Sequence, residues 1–243
     1  MTLRWVPIPS TQRIEDRRRG LDRTHPDSIS YASESCERFA PRRPVAQAGS
    51  RLQWWSDVES KAMSANSDNY RTAVAGFDAV IENVSDGQWT SEAPCEGWTA
   101  AHVVGHVIGG MRVVAGGSWD GTDLERAGDD PKASYAAARD AALANLTEDA
   151  LADVKPGPAG DMTLDAMLGM FLTNDILIHT WDLATATGQQ VVLDPALVES
   201  AHAALVAAGD FVRAPNIFGP AVEPPVGADA QTKLLCFAGR RAG

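Results

Sequence analysis

Cysteine is scarce in this chain, and the little there is lies scattered. Cys36, Cys95 and Cys236 are the three thiols in 243 residues, and no Cys-x-x-Cys occurs. An odd, widely spaced set argues against a disulfide framework or a thiolate zinc cluster and makes a reducing compartment the default. Long apolar runs are missing too. Nothing approaches the roughly 20 residues that a membrane span needs, and the start, Met1-Thr-Leu-Arg-Trp-Val-Pro-Ile-Pro9, has no stretch of signal-peptide type. A cytoplasmic protein with no membrane partner is expected. Positive charge is in deficit: the net charge is −11 and the pI about 4.8. Nucleic-acid binders usually carry a basic face, so that class is set aside. Internal repeats and sustained strand-type alternation are absent as well, so no substantial sheet is expected.

The charge deficit is uneven. Residues 1–62 hold 11 Lys/Arg and 8 Asp/Glu, and residues 63–243 hold 10 and 24, a balance of +3 against −14. The first stretch has Arg17-Arg-Arg19, Pro41-Arg-Arg-Pro44 and scattered Ser and Pro, without helical or strand period. It reads as a disordered or poorly structured extension. Met63 then looks like a natural start, which would make the extension a start-site artefact; Trp54-Trp55 could instead mark a short docking helix. Residues 63–243 are taken as the folded domain.

That domain reads as helices. Val74, Phe77, Val80 and Ile81 fall at helical spacing within 69–84. Thr99 is a good N-cap for a second helix to about 116, whose Gly105, Gly109 and Gly110 would permit close approach by a neighbour. An Ala-rich helix over 134–146 follows, then a loop at 155–160 with a short extended piece. The longest helix is expected over 163–187, closed by Gly188. Further helices are expected over 194–211, with Pro195 in the first turn, and over 228–237. The fold class is all-α: a helical bundle with additional short helices.

Two of these helices carry metal-competent groups where leucines would be expected. His106 lies in Ala101-His-Val-Val-Gly-His-Val-Ile-Gly109. Asp175 and His179 lie four apart in Thr173-Asn-Asp-Ile-Leu-Ile-His-Thr-Trp-Asp-Leu-Ala184, on one helix face. Unpartnered burial of a carboxylate and imidazoles is costly, and one divalent metal would satisfy all three. Two imidazoles and a carboxylate suit zinc, with nickel or iron as alternatives, and three ligands leave a position open for substrate. Asp175 and His179 could also be an ordinary ion pair. His102, four residues before His106 on much the same face, leaves a His102/His106 pair open. Asp182 could orient His179 from behind or pair with an arginine. Cys95 stands before the second helix, either packed or reactive. His25 and His202 read as surface residues.

Pro94-Cys-Glu-Gly-Trp98, the helix carrying His106, the segment from Asp175 to Gly188 and the tail from Phe218 to Arg240 together resemble the DinB-like metal-binding superfamily. Over about residues 65–241 the closer similarity is to its mycothiol-dependent maleylpyruvate isomerase branch, in a short subfamily. The resemblance implies a four-helix bundle with a divalent metal on His106, Asp175 and His179. It also implies a low-molecular-weight thiol such as mycothiol as cofactor, an electrophilic small-molecule substrate, and thiol transfer or isomerisation with the metal activating the thiol. Isomerases of this type have glutamate in place of Asp175 and an additional C-terminal domain, for which the roughly 55 residues after Gly188 leave little room. A non-catalytic, stress-related metal-binding protein is the alternative. A monomer or homodimer is expected.

Overall fold

The computed structural model describes the backbone of residues 49–118, 124–157, 160–213 and 217–242, and side chains from residue 65 onward within those ranges. Eight α-helices and one small hairpin make up these residues, with short 3-10 turns between them. Helix α1 spans Gly49–Ile81, α2 Ala100–Val114, α3 Pro131–Ala144 and α4 Glu148–Ala152. Strands β1, Val154–Gly157, and β2, Gly160–Thr163, pair antiparallel, Val154 opposite Thr163 and Gly157 opposite Gly160. Then come α5 (Leu164–Met167), a π turn (Leu168–Leu172), α6 (Thr173–Ala186), α7 (Pro195–Ala208) and α8 (Ala230–Phe237). The all-α expectation holds. No helix among the described residues is long and apolar enough to cross a membrane.

Four helices form the bundle. Helix α6 packs against α1 on one side and α2 on the other, α2 packs against α3, and α3 touches α1; α7 leans on α6 and carries α8. The reason is visible in α1, where Tyr70, Ala73, Val74, Phe77, Val80 and Ile81 are all buried. Their spacing of three and four residues lines one face of a 3.6-residue helix. Each large apolar side chain so buried contributes about 1.5–3 kcal/mol of transfer free energy. Phe77 meets Tyr135 of α3 with ring centroids 5.1 Å apart, which ties the first helix to the third.

Helix α2 begins as its sequence predicts. The Thr99 hydroxyl accepts from the His102 amide at 3.3 Å, and the Thr99 amide donates to His102 Nδ1 at 3.2 Å. Gly105 lets the turn Leu124–Ala127 press against the helix: a Cβ there would run into the Leu124 carbonyl. The close approach at Gly105 is thus made by a loop, whereas at Gly110 it is made by Leu172 of the helical run that carries Asp175.

Three expectations are corrected. The first described helix starts at Gly49 rather than 69, so backbone geometry does not break at Met63, and Trp54-Trp55 lie inside it. Between Gly49 and Gly76 there is no proline or glycine, so nothing stops helical hydrogen bonding from propagating. Residues 49–62 thus carry helical backbone, while 1–48, including His25 and Cys36, lie outside the described residues. The longest helix is α1, with 33 residues, not the one holding Asp175. The run expected over 163–187 is continuous but broken in pitch by the π turn. There Asn66 of α1 reaches in, its Oδ1 2.7 Å from where a Gly169 Cβ would sit and its Nδ2 donating to Asp165 Oδ2 at 2.8 Å. Helix α7 ends at Ala208, three residues before the expected stop, because the chain tightens into a 3-10 turn at Gly209–Arg213.

Candidate metal centre

Packing α2 against α6 brings His106 to the Asp175/His179 face. One ligand-competent atom from each of the three side chains lies within 4.8 Å of the others. His106 Nε2 is 3.2 Å and His179 Nε2 3.5 Å from the same oxygen, Asp175 Oδ1. The His179 side chain is 6% exposed, His106 14% and Asp175 28%. His179 is therefore the floor of the site, and the other two reach toward solvent.

Behind His179 stands Asp182, one turn along α6 and fully buried. A carboxylate can only accept, so His179 Nδ1–H donates to Asp182 Oδ2, at 2.9 Å. That bond fixes the ring: Nδ1 is committed, and Nε2 faces Asp175. Asp182 is in turn held by Arg240 from the segment after α8, through Nε to Oδ1 at 3.2 Å and Nη2 to Oδ2 at 2.7 Å. Both roles left open for Asp182, orienting the imidazole and pairing with an arginine, are filled at once. Cys95 Sγ completes this back layer, donating to Asp182 Oδ2 and accepting from Arg240 Nη2, each at 3.3 Å.

The charges follow from these contacts. Burial opposes ionisation of Asp175, but His106 and His179 outweigh it and hold the carboxyl well below the usual carboxylate range. Burial likewise opposes the His179 imidazolium, yet Asp175, Asp182 and Cys95 lift its pKa well above the ordinary imidazole value. For Asp182, burial is outweighed by the His179 N–H and the Arg240 guanidinium, which keep it down at about 2. The front layer is thus an anion with two nitrogens turned on it, a position where positive charge is wanted.

The donor set fits a metal. Zinc holds imidazole nitrogen and carboxylate oxygen at about 2.0–2.1 Å in a tetrahedron, whose edges are then about 3.3–3.4 Å. The 3.2 and 3.5 Å separations to Asp175 Oδ1 are edges of that size. With Nδ1 of His179 already donating, its Nε2 can face the Asp175 oxygen only through a second proton or a metal ion.

The remaining candidates separate cleanly. His102 is spent on the α2 cap, and its Nε2 lies 3.4 Å from Glu125 Oε1; it is not part of the converging set. His202 is half-buried rather than on the surface, its ring edge-on to Phe237 at 5.7 Å. Two residues went unassigned from sequence. Arg240 has no local signal, because its partner is 58 positions away. Trp98 lies in a conspicuous motif, and its indole covers both histidines, with centroids 5.1 Å from His106 and 5.6 Å from His179.

Comparisons with known proteins give the chain a family. The family described as "Mycothiol maleylpyruvate isomerase N-terminal domain" matches residues 70–184, which hold His106, Asp175 and His179. Two uncharacterized proteins of Mycobacterium tuberculosis, from strains CDC 1551 / Oshkosh and ATCC 25618 / H37Rv, are each 35% identical over 159 residues. That match spans 60% of this chain and 81% of each relative. The chain belongs to the mycothiol maleylpyruvate isomerase N-terminal domain family. Within the DinB-like superfamily this is a metal-binding, mycothiol-related group, and the predominantly helical fold suits it. No solved structure matches the chain.

Proposed function

We propose that this protein is a metal-dependent thiol enzyme, a transferase or isomerase acting through a low-molecular-weight thiol of the mycothiol type. The observation that carries the reading is the convergence of His106, Asp175 and His179 from two helices, with the innermost ligand locked from behind by Asp182. Three protein ligands leave a coordination position open, the pattern of a catalytic site. Zinc is the metal the donor set suits best, with nickel and iron the alternatives. A divalent ion there would lower the pKa of a bound thiol and polarise an oxygen of the electrophile.

The chain's own residues account for the rest. Asp175 supplies the negative charge that offsets part of the ion's. His179 enters with Nε2 forward, because Asp182 holds its other nitrogen. Arg240 neutralises Asp182, so the back layer adds no uncompensated charge to the interior. His106 and Asp175 are partly exposed, so a small thiol and an electrophile can approach from solvent. The thiolate is the nucleophile, and a free thiol is mostly protonated near neutral pH; activation by the metal is what the site would add. Cytoplasmic residence, where such thiols are kept reduced, fits this chemistry.

Metal analysis of the purified full-length protein tests the site. About one equivalent of divalent metal is expected in the wild type, with little in His106→Ala and His179→Ala. Wild-type metal content in both variants would end the ligand assignment. Conjugation of mycothiol to generic electrophiles tests the chemistry. If the metal is present and no metal-dependent conjugation occurs with any thiol, the protein is a non-catalytic metal binder instead.

A further inference from the structure

Trp98 meets both histidines of the site. Its indole stacks on the His179 imidazole, with planes 17° apart, and is tilted by 48° on His106. The two imidazoles meet edge to face, with centroids 4.8 Å apart. The three rings form a closed set, each touching the other two. Asp182 and Asp175 set the direction of His179 through its two nitrogens, but contacts along that one line do not set the plane of the ring about it. A stacked indole removes that freedom.

The loop that carries Trp98 is built to hold still. The Ala93 amide donates to the Trp98 carbonyl at 2.8 Å, and the Trp98 amide donates to the Cys95 carbonyl at 3.0 Å. Glu92 and Thr99 form a β-bridge across its base, and Gly97 turns the chain with φ of +75°. Thr99 is at the same time the N-cap of α2. The loop is therefore joined rigidly to the helix that supplies His106, while its indole rests on the histidine of α6.

Resting on the metal reading above, we infer that Trp98 is a positioning residue that sets the angle between the two imidazole ligands. It acts through the two rings rather than as a ligand itself. It keeps both rings in the planes from which their Nε2 atoms meet at one point. Residues that orient ligands from behind typically contribute 10–100-fold to metal affinity, and aromatic stacking reaches the lower end of that range.

The test is zinc titration of the full-length protein against a chromogenic chelator, in wild type, Trp98→Phe, Trp98→Ala and His179→Ala. Trp98→Ala is expected to bind zinc up to about 10-fold more weakly, while Trp98→Phe, which keeps a stacking ring, retains most of the affinity. Zinc is also expected to change the wild-type tryptophan emission, and Trp98→Phe to lose most of that change although six of the seven tryptophans remain. Wild-type affinity in Trp98→Ala, equal losses in the two Trp98 variants, or an undiminished emission change in Trp98→Phe would each overturn the inference. In those cases loss of zinc in His179→Ala would leave the metal site standing. If the wild type itself binds no zinc, the metal reading fails, and this one with it.

Discussion

Asp165 and Asp182 lie on the same continuous helical run, both buried, with the π turn between them, and the protein treats them in opposite ways. Asp182 is met on both oxygens, by Arg240 and by His179. Asp165 has one neutral donor, the Asn66 amide, and its other oxygen is buried without a partner. Burial therefore raises the Asp165 pKa, only partly offset by Asn66, whereas charged partners hold Asp182 down at about 2. The difference teaches where charge is wanted. Around Asp165 the fold tolerates a carboxyl; around Asp182 it has assembled cations to keep one ionised, directly behind the metal-competent face.

Removing the cation should give the largest effect. Arg240→Ala leaves Asp182 buried with only the His179 imidazole and the Cys95 thiol as partners, and is expected to cost about 3–5 kcal/mol in urea denaturation. A loss below about 1 kcal/mol would mean that Asp182 does not depend on its guanidinium. Acid gives the next effect. The folded pKa of Asp182, about 2, lies below the unfolded value of about 3.9. Its contribution, about 2–3 kcal/mol, is therefore complete above the unfolded value and disappears as pH falls toward 2. Asp182→Asn should flatten the stability profile in that window, and an unchanged slope between pH 4 and pH 2 would refute the assignment.

His102→Ala tests the cap against the site. It should cost about 0.5–1 kcal/mol and leave metal content at the wild-type level; loss of metal would return His102 to the ligand set. Smallest of all is Asp165→Asn, expected to change stability at neutral pH by less than about 1 kcal/mol in either direction, since burial already disfavours the charge it removes. A loss as large as that of Arg240→Ala would erase the contrast between the two aspartates.

The metal-competent face was legible because it violates a period. His106, Asp175 and His179 occupy positions where helical spacing calls for apolar residues, and a polar group in such a stripe is informative wherever the stripe packs. The two histidines of α2 could not be told apart that way, since residues 102 and 106 share a face. The choice between them is made by Thr99 and Glu125, which claim His102 for the helix cap and the neighbouring turn. Arg240 was beyond reach because its bond to Asp182 is a product of tertiary packing. The π turn was equally hidden: it depends on Asn66 entering opposite Gly169, a contact between helices that neither stretch reveals alone. The helix before Met63 was missed for a different reason. Its sequence lacks an apolar period but also lacks breakers, and pattern reading registers the first fact more readily than the second.

The bond from His179 to Asp182 has one more consequence. Its proton sits between an imidazole only 6% exposed and a fully buried carboxylate. A proton so sheltered exchanges slowly and resonates far from the amide envelope. Nuclear magnetic resonance would see it as a single isolated line, a built-in gauge of whether the innermost imidazole is seated.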